Sequence, residues 1–249
     1  MNKFDFPISK LQCPNCNANT LVSIDDDAVL FCDTCKVNFP STHGRPILLN
    51  PKNDVFNIDD YINANPPSTQ NQKKLSRFIP SSSVNLCSER VLDSLGKILS
   101  GLTSARVLVV GGGRQRSWLD NLLGNGNDIK VLYSDIDIHA DFDLICDGHD
   151  LPFTDNSFDA VVTTAVLEHV LYPERVVSEI HRVLKIDGII YSELPFMQQV
   201  HEGAYDFTRY THSGHRRLMN GFKEIESGMV AGPGTVMVWT IENFVLAFF

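Results

Sequence analysis

The chain has 249 residues, 43% of them hydrophobic, with 21 basic and 30 acidic side chains for a net charge of −9. That length holds one catalytic domain plus a small accessory module, and it buries enough surface to need no disulfide staple. The acidic balance disfavours nucleic acid as a main partner. No run of 18 apolar residues marks a membrane span, the opening MNKFDFPISK lacks the apolar core of a secretory signal, and the expected location is the cytoplasm.

In chain order, the first feature is Cys13-x2-Cys16 followed by Cys32-x2-Cys35. Two such knuckles let four thiolates converge on one Zn²⁺, and four protein ligands leave no open position, so the metal is expected to be structural. Disulfides do not fit a chain without a secretory signal. LVSIDDDAVLFC between the knuckles reads as two short strands around an Asp25–Asp27 turn, the pattern of a zinc ribbon. A module of this size gains from a metal the folding energy its core cannot supply. Cys87 and Cys146 read as small buried hydrophobes.

After the second knuckle, Phe39-Pro40, Gly44 and Pro46-Ile47-Leu48-Leu49 complete a resemblance to the Trm112-like zinc-binding modules over roughly residues 8–50. Members of that family act as partners of methyltransferases or stand fused in front of them. From Asn50 to Pro80 the text turns polar and reads as a linker. Val91, Leu92, Leu95, Ile98 and Leu99 then recur at helical steps, which predicts an amphipathic helix over 86–100. The expected division is a zinc ribbon at 1–54, a linker with its helix at 55–100 and the main domain at 101–249.

ARVLVVGGG at 105–113 reads as a buried strand ending in glycines, and a helical stretch around Trp118 and Leu119 follows. KVLYSDID is a second strand whose Asp135 lies beyond the glycines. This is a βαβ layout in which the glycine turn admits a cofactor to the backbone and the acid meets a ribose. Strand phase favours Asp135 over Asp137. Pro173 opens a helix with Val176, Val177, Ile180, Val183 and Leu184 on one stripe. That helix is expected to end at Asp187-Gly188, with GIIYSEL as the next strand.

Asp147, Leu151-Pro152-Phe153, Phe158-Asp159-Ala160-Val161-Val162, Leu167-Glu168-His169-Val170 and Arg182-Val183-Leu184-Lys185 together closely resemble class I S-adenosylmethionine-dependent methyltransferases of the type 11 kind. The resemblance runs over about 105–196 and implies a Rossmann-like α/β fold. It also implies that Gly111 and Gly113 pass under the methionine part of S-adenosylmethionine, that Asp135 takes the ribose hydroxyls, and that Asp147 accepts the adenine amino group, with backbone at Gly148 also in reach. Three positions depart from the pattern. Val109 stands where the family carries an acid, Gln115 replaces a glycine, and Ile186-Asp187-Gly188 replaces Pro-Gly-Gly.

The loop FMQQVHEGAYDFTRYTHSGHRR follows a strand's carboxyl end, where open α/β sheets place ligands. His201, Glu202, Tyr205, Asp206, Arg209 and Tyr210 could line an acceptor pocket, with His201 as base and Asp206 as its partner. His169 reads as support for a neighbouring loop, and Thr211 as the N-cap of a helix. The loop HEGAYDFTRYT resembles methyltransferases of surface-polysaccharide building, so a hydroxyl on a small molecule or glycan precursor is the expected acceptor. A ribosomal-RNA methyltransferase and a non-catalytic scaffold are the alternatives. Against RNA, residues 1–54 carry five Lys/Arg and six Asp. At the end of the chain, FKEIESGMVAG and 234–240 are expected to form a hairpin, and the apolar TVMVWTIENFVLAFF reads as core, or else as a surface for docking a partner or membrane.

Overall fold

The computed structural model describes residues 4, 6–24, 29–62, 86–113, 116–123, 129–201 and 203–246. The first part is a three-stranded antiparallel sheet of β1 (Leu21–Ser23), β2 (Leu30–Cys32) and β3 (Asn38–Phe39), with Leu21 opposite Cys32 and Leu30 opposite Phe39. The Asp25–Asp27 turn lies outside the described residues. A two-stranded ribbon follows, β4 (Ser41–Thr42) and β5 (Arg45–Pro46), then a short helix α1 (Ile58–Ile62). Most of the predicted linker, 63–85, also lies outside the described residues.

Helix α2 (Leu86–Leu99) matches the predicted helix and buries Leu92, Leu95 and Leu99. Next come β6 (Arg106–Val110), α3 (Arg116–Leu123), β7 (Lys130–Asp135), β8 (Leu144–Ile145), β9 (Phe158–Thr164), α4 (Pro173–Val183) and β10 (Leu184–Glu193). The five strands form one parallel sheet in the order β10-β9-β6-β7-β8. Order reverses between β6 and β9, the switch point at which such sheets bind ligands. β6 reads RVLVV and is buried from Val107 to Val110, as a central strand covered on both faces must be.

Alternation along β6 assigns the two layers. Val107 and Val109 pack with Tyr133, Ala160, Val162 and the leucines of α2. Val109, where an acid was expected from the resemblance, is thus a core residue. Leu108 and Val110 face the other way, onto Val176, Val177, Ile180 and Val183 of α4. The cysteine-bearing module packs into that same cluster through Leu11, Leu21, Leu30, Phe39 and Leu48. Its exit strand continues the sheet: Ile47 bridges Ile145 in parallel, and the Leu48 N–H donates to the Ile145 carbonyl at 2.8 Å. Module and sheet therefore share one core.

Two expectations are corrected. α4 ends at Val183, not at Asp187-Gly188, because buried Leu184 already pairs with Phe158 across the sheet. The Asp187-Gly188 pair forms an irregularity inside β10, between Leu184 and Ile189, with Asp187 at φ 63°. The terminal hairpin is absent among the described residues. Instead 222–232 has no strand, and α6 (Pro233–Leu246) follows α5 (His212–Leu218). Pro233 suits a first helical turn, and nearly unbroken apolar text satisfies helical and strand periods alike. Nor is α6 core: Met237 and Phe244 are 64% and 65% exposed. None of the helices among the described residues is long and apolar enough to cross a membrane.

Candidate functional site

The four expected cysteines converge. Cys13 and Cys35 sulfurs stand 3.6 Å apart, as do those of Cys16 and Cys32, and all four lie within 4.8 Å of one another. Four thiolates on a tetrahedral zinc, at about 2.3 Å each, would be spaced by about 3.8 Å. The two knuckles repeat one backbone design. Asn17 and Lys36, each just after a second cysteine, take positive φ of 58° and 60° and donate to the carbonyls of Cys13 and Cys32 at 2.8 Å. Asn tolerates that left-handed conformation better than most residues.

At the carboxyl end of β6 the chain turns through Gly111 (φ 68°) and Gly113 (φ 54°). A Cβ on Gly111 would lie 2.4 Å from Val166 Cγ2, whereas one on Gly113 would meet nothing within 4 Å among the described residues. Gly111 is thus clamped at the switch point, and open space lies beside Gly113. Asp135 ends β7 and accepts the N–H groups of Gly113, Ile136 and Asp137 at 2.9, 2.7 and 2.9 Å. Burial still pushes its carboxyl above the usual range. Two carboxylate oxygens offer about four lone-pair sites, so capacity for a further donor remains.

Asp147 follows β8 and is met by the chain's own groups. Asn53 Nδ2 donates to one oxygen at 2.8 Å, and the backbone and ring of His149 meet the other at 2.9 and 2.7 Å. Burial would raise this carboxyl, but those bonds outweigh it and hold it below the ordinary range. A Cβ on Gly148 would meet Val110 and Val176 at ordinary contact distance. Phe56, Ile58 and Tyr61 pack with Ile136 and Ile138 beside the Asp135 end of β7, so 53–62 forms one wall of the crevice.

The loops after β9 and β10 make the other side. Ala165 takes φ 53° and donates to the Glu193 carbonyl at 3.1 Å, a strained turn that swings the following residues inward. Glu168 is fully buried, and neither of its carboxylate oxygens has a hydrogen-bond partner among the described residues. Burial pushes this carboxyl up. Its carbonyl accepts the Phe207 and Thr208 N–H groups, pinning the second loop against the first. His169 and His201 then meet with their Nε2 atoms 3.1 Å apart. Asp206 accepts the His201 backbone N–H at 3.0 Å, while the His201 ring nitrogen is 3.6 Å away. Arg209 binds both Asp206 oxygens and holds that carboxyl well below the usual range.

The structure thus brings His201 and Asp206 together through backbone, adds His169 as a ring partner, and places Glu168 beneath them. Sequence reading passed over Glu168, although an ionisable residue inside the apolar run Ala165-Val166-Leu167-Glu168 was its signal. Thr211 caps α5 by accepting the Gly214 N–H at 3.1 Å. Glu202 lies outside the described residues. The cavity at Phe4, Phe6, Arg106, Lys130 and Phe158, of about 330 Å³, opens at the amino-terminal end of β6 and β7, away from this crevice.

Residues 110–192 match the family model described as a methyltransferase domain. No curated protein matches the chain. Solved structures similar in fold include the [4+2]-cyclase SpnF, 21% identical over 54% of this chain and 56% of that one, with a TM-score of 0.41. Another is a complex of the Haloferax volcanii Trm112 methyltransferase activator with a methyltransferase, 20% identical over 54% of this chain and 71% of that one, TM-score 0.39. A third is Haemonchus contortus phosphoethanolamine N-methyltransferase 2 with S-adenosyl-L-methionine, 16% identical over 64% and 44% of the two chains, TM-score 0.45. The chain spans 56% of the first of these and less than half of the third. Glycine turn, distal acid and parallel sheet coincide with the segment that matches the methyltransferase domain model.

Proposed function

We propose that the chain is an S-adenosylmethionine-dependent methyltransferase that methylates a hydroxyl on a small molecule, with a sugar or glycan precursor as the leading class. The observation that carries this reading is the pairing of two polar walls at one switch point: Gly111, Gly113, Asp135 and Asp147 on one side, His169, His201 and Asp206 on the other. In this reading Gly111 and Gly113 let the cofactor's methionine part approach the backbone. The remaining lone-pair site of Asp135 fits a ribose hydroxyl. Asp147, with one lone-pair site left beside Asn53 and His149, faces the adenine edge together with the Gly148 backbone. Bound S-adenosylmethionine supplies an electrophilic methyl on a sulfonium.

The chain's own work is then positioning, because in-line transfer needs the acceptor oxygen aimed at that methyl. His201 activates the acceptor hydroxyl, and Asp206, fixed by Arg209, holds the His201 main chain in place. The polysaccharide setting is supported by the resemblance of the HEGAYDFTRYT loop. RNA is disfavoured by where the cations go. Arg116 is committed to both oxygens of Asp143 at 2.7 and 2.9 Å, and Arg216 to Glu224 at 2.7 Å, which leaves Arg217 as the one of these three arginines without an ion pair among the described residues. Lys73, Lys74, Arg77 and Arg114 lie outside the described residues. The proposed organisation keeps a zinc ribbon at 1–54 with Zn²⁺ on Cys13, Cys16, Cys32 and Cys35, a linker and helix at 55–100, and the methyltransferase domain at 101–249. The sulfur spacing supports the metal.

Transfer of labelled methyl from S-adenosylmethionine to a panel of sugar nucleotides, free polyols and ribosomal-RNA fragments tests the acceptor class. Label on a hydroxyl compound, lost in His201→Ala, is the expected result. Label on RNA alone would overturn it.

A further inference from the structure

We propose that Glu168, His169 and His201 form a second metal site, a two-histidine, one-carboxylate centre for a divalent transition cation such as Zn²⁺, with an open position toward the acceptor. It deepens the proposed function by stating how His201 activates a hydroxyl, and it rests on that reading for the identity of the bound acceptor only.

The first argument is the direction of the imidazole lone pairs. His169 Nδ1 lies 2.7 Å from the Tyr205 carbonyl and His201 Nδ1 lies 3.1 Å from the Gln199 carbonyl. A carbonyl only accepts, so His169 Nδ1 donates its proton; at His201 the closer Gln199 carbonyl favours the same tautomer over the longer 3.5 Å approach of Arg209 Nη2. In that tautomer each ring presents a bare Nε2, and these two atoms face each other at 3.1 Å. Two lone pairs at that separation repel unless a cation lies against both. Ring N–H groups held by backbone carbonyls are also the usual outer support of metal-binding histidines.

The second argument is spacing. Two nitrogens bound to one metal at about 2.0–2.1 Å stand about 3.3 Å apart at a tetrahedral angle and about 2.9 Å apart at a right angle. The observed 3.1 Å lies between. Glu168 Oε1 is 3.7 Å from His169 Nε2, and one ligand atom from each of the three residues falls within 4.8 Å of the others.

The third argument is independent of the histidines. Glu168 is wholly buried and both its oxygens lack a hydrogen-bond partner among the described residues. A buried carboxylate is expensive unless paired or bound to a metal. Arg209 acts on it only through space: its hydrogen bonds go to Asp206 and to the carbonyls of Gln198, Gln199 and Thr208, with His201 Nδ1 at 3.5 Å. Three protein ligands leave a coordination position, as catalytic rather than structural metal sites do. An acceptor hydroxyl bound there ionises more easily. Its proton passes to water, its oxygen forms the bond to the methyl carbon, and the carbon–sulfur bond breaks to release S-adenosylhomocysteine.

The test is metal stoichiometry on the full chain, which separates this site from the four cysteines and needs no acceptor. Elemental analysis after Zn²⁺ loading should give two equivalents in the wild type. It should give one in His201→Ala and in the isosteric Glu168→Gln, both still folded by circular dichroism. Cys16→Ala should lose the other equivalent. Competition with a chelating dye should show the second site weakened on the order of 100-fold or more in Glu168→Gln. One equivalent in the wild type, or two that persist in both His201→Ala and Glu168→Gln, would overturn the proposal and leave a proton shared between the rings. Two equivalents with no methyl transfer to any hydroxyl would keep the site and refute the acceptor reading alone.

Discussion

At the residue scale, the two positive-φ glycines are expected to respond differently to the same change. Gly111→Ala adds a methyl 2.4 Å from Val166 Cγ2 on a backbone that disfavours it. It should cost about 2–3 kcal/mol in urea unfolding, combining left-handed strain with overpacking, and should abolish cofactor binding by shifting the turn. Gly113→Ala meets open space and should cost only about 1 kcal/mol; any loss of affinity there reports on ligand occupying that space. Equal destabilisation by the two would contradict the clamp at the switch point. These glycines, Asp135 and Asp147 could all be picked out from the text, since each is a rare residue type at a strand end. The contacts of Asp147 could not, because Asn53 reaches it from 94 residues away. Nor could the meeting of His169 with His201, which depends on two loops converging.

At the element scale, the Asp159 end of β9 is tied to both neighbours. Its carboxylate accepts from Lys185 Nζ at 2.7 Å and from the Arg106 N–H at 2.9 Å. Burial alone would raise this carboxyl, but those partners outweigh it and hold it below the ordinary range. A depressed folded value means the stabilisation is complete above the unfolded value near ~3.9 and is lost as pH falls through the lower folded one. Asp159→Asn should therefore lower stability by about 1–2 kcal/mol at neutral pH and flatten the acid limb of the stability profile. An unchanged acid limb would show that the tie contributes nothing. Packing separates the two long apolar helices just as sharply. Ile180→Ala in α4, at a fully buried position, should cost about 3 kcal/mol. Ile241→Ala in α6, 58% exposed, should change stability by less than about 0.5 kcal/mol. The helix with a clear apolar stripe was legible in the sequence. The one without a polar face was not, and the reading of a terminal hairpin failed for that reason.

For the whole molecule, the shared core has a consequence for unfolding. Because Leu11, Leu21, Leu30 and Phe39 belong to the same cluster as Leu108, Val161 and Ile180, the cysteine module should not melt alone. Removing zinc with a chelator should lower a single transition by roughly 10 °C, corresponding to about 3–4 kcal/mol for a protein of this size. Two separate transitions would contradict a common core. Convergence of the four cysteines was legible in the sequence, since cysteine spacing is local. That the module docks on the α4 face was invisible there, because apolar residues in a small ribbon look the same whether they fold inward or onto a neighbour.

The central claim, a cofactor crevice built by Gly111, Gly113, Asp135 and Asp147, is tested most directly by calorimetric titration with S-adenosylmethionine. Wild type should bind one equivalent with micromolar affinity, and Asp135→Ala, folded by circular dichroism, should weaken binding by at least about 100-fold through loss of charge-assisted hydrogen bonds worth roughly 3 kcal/mol together. Folded, zinc-loaded wild type that takes up no cofactor, or Asp135→Ala that binds as tightly as wild type, would contradict it.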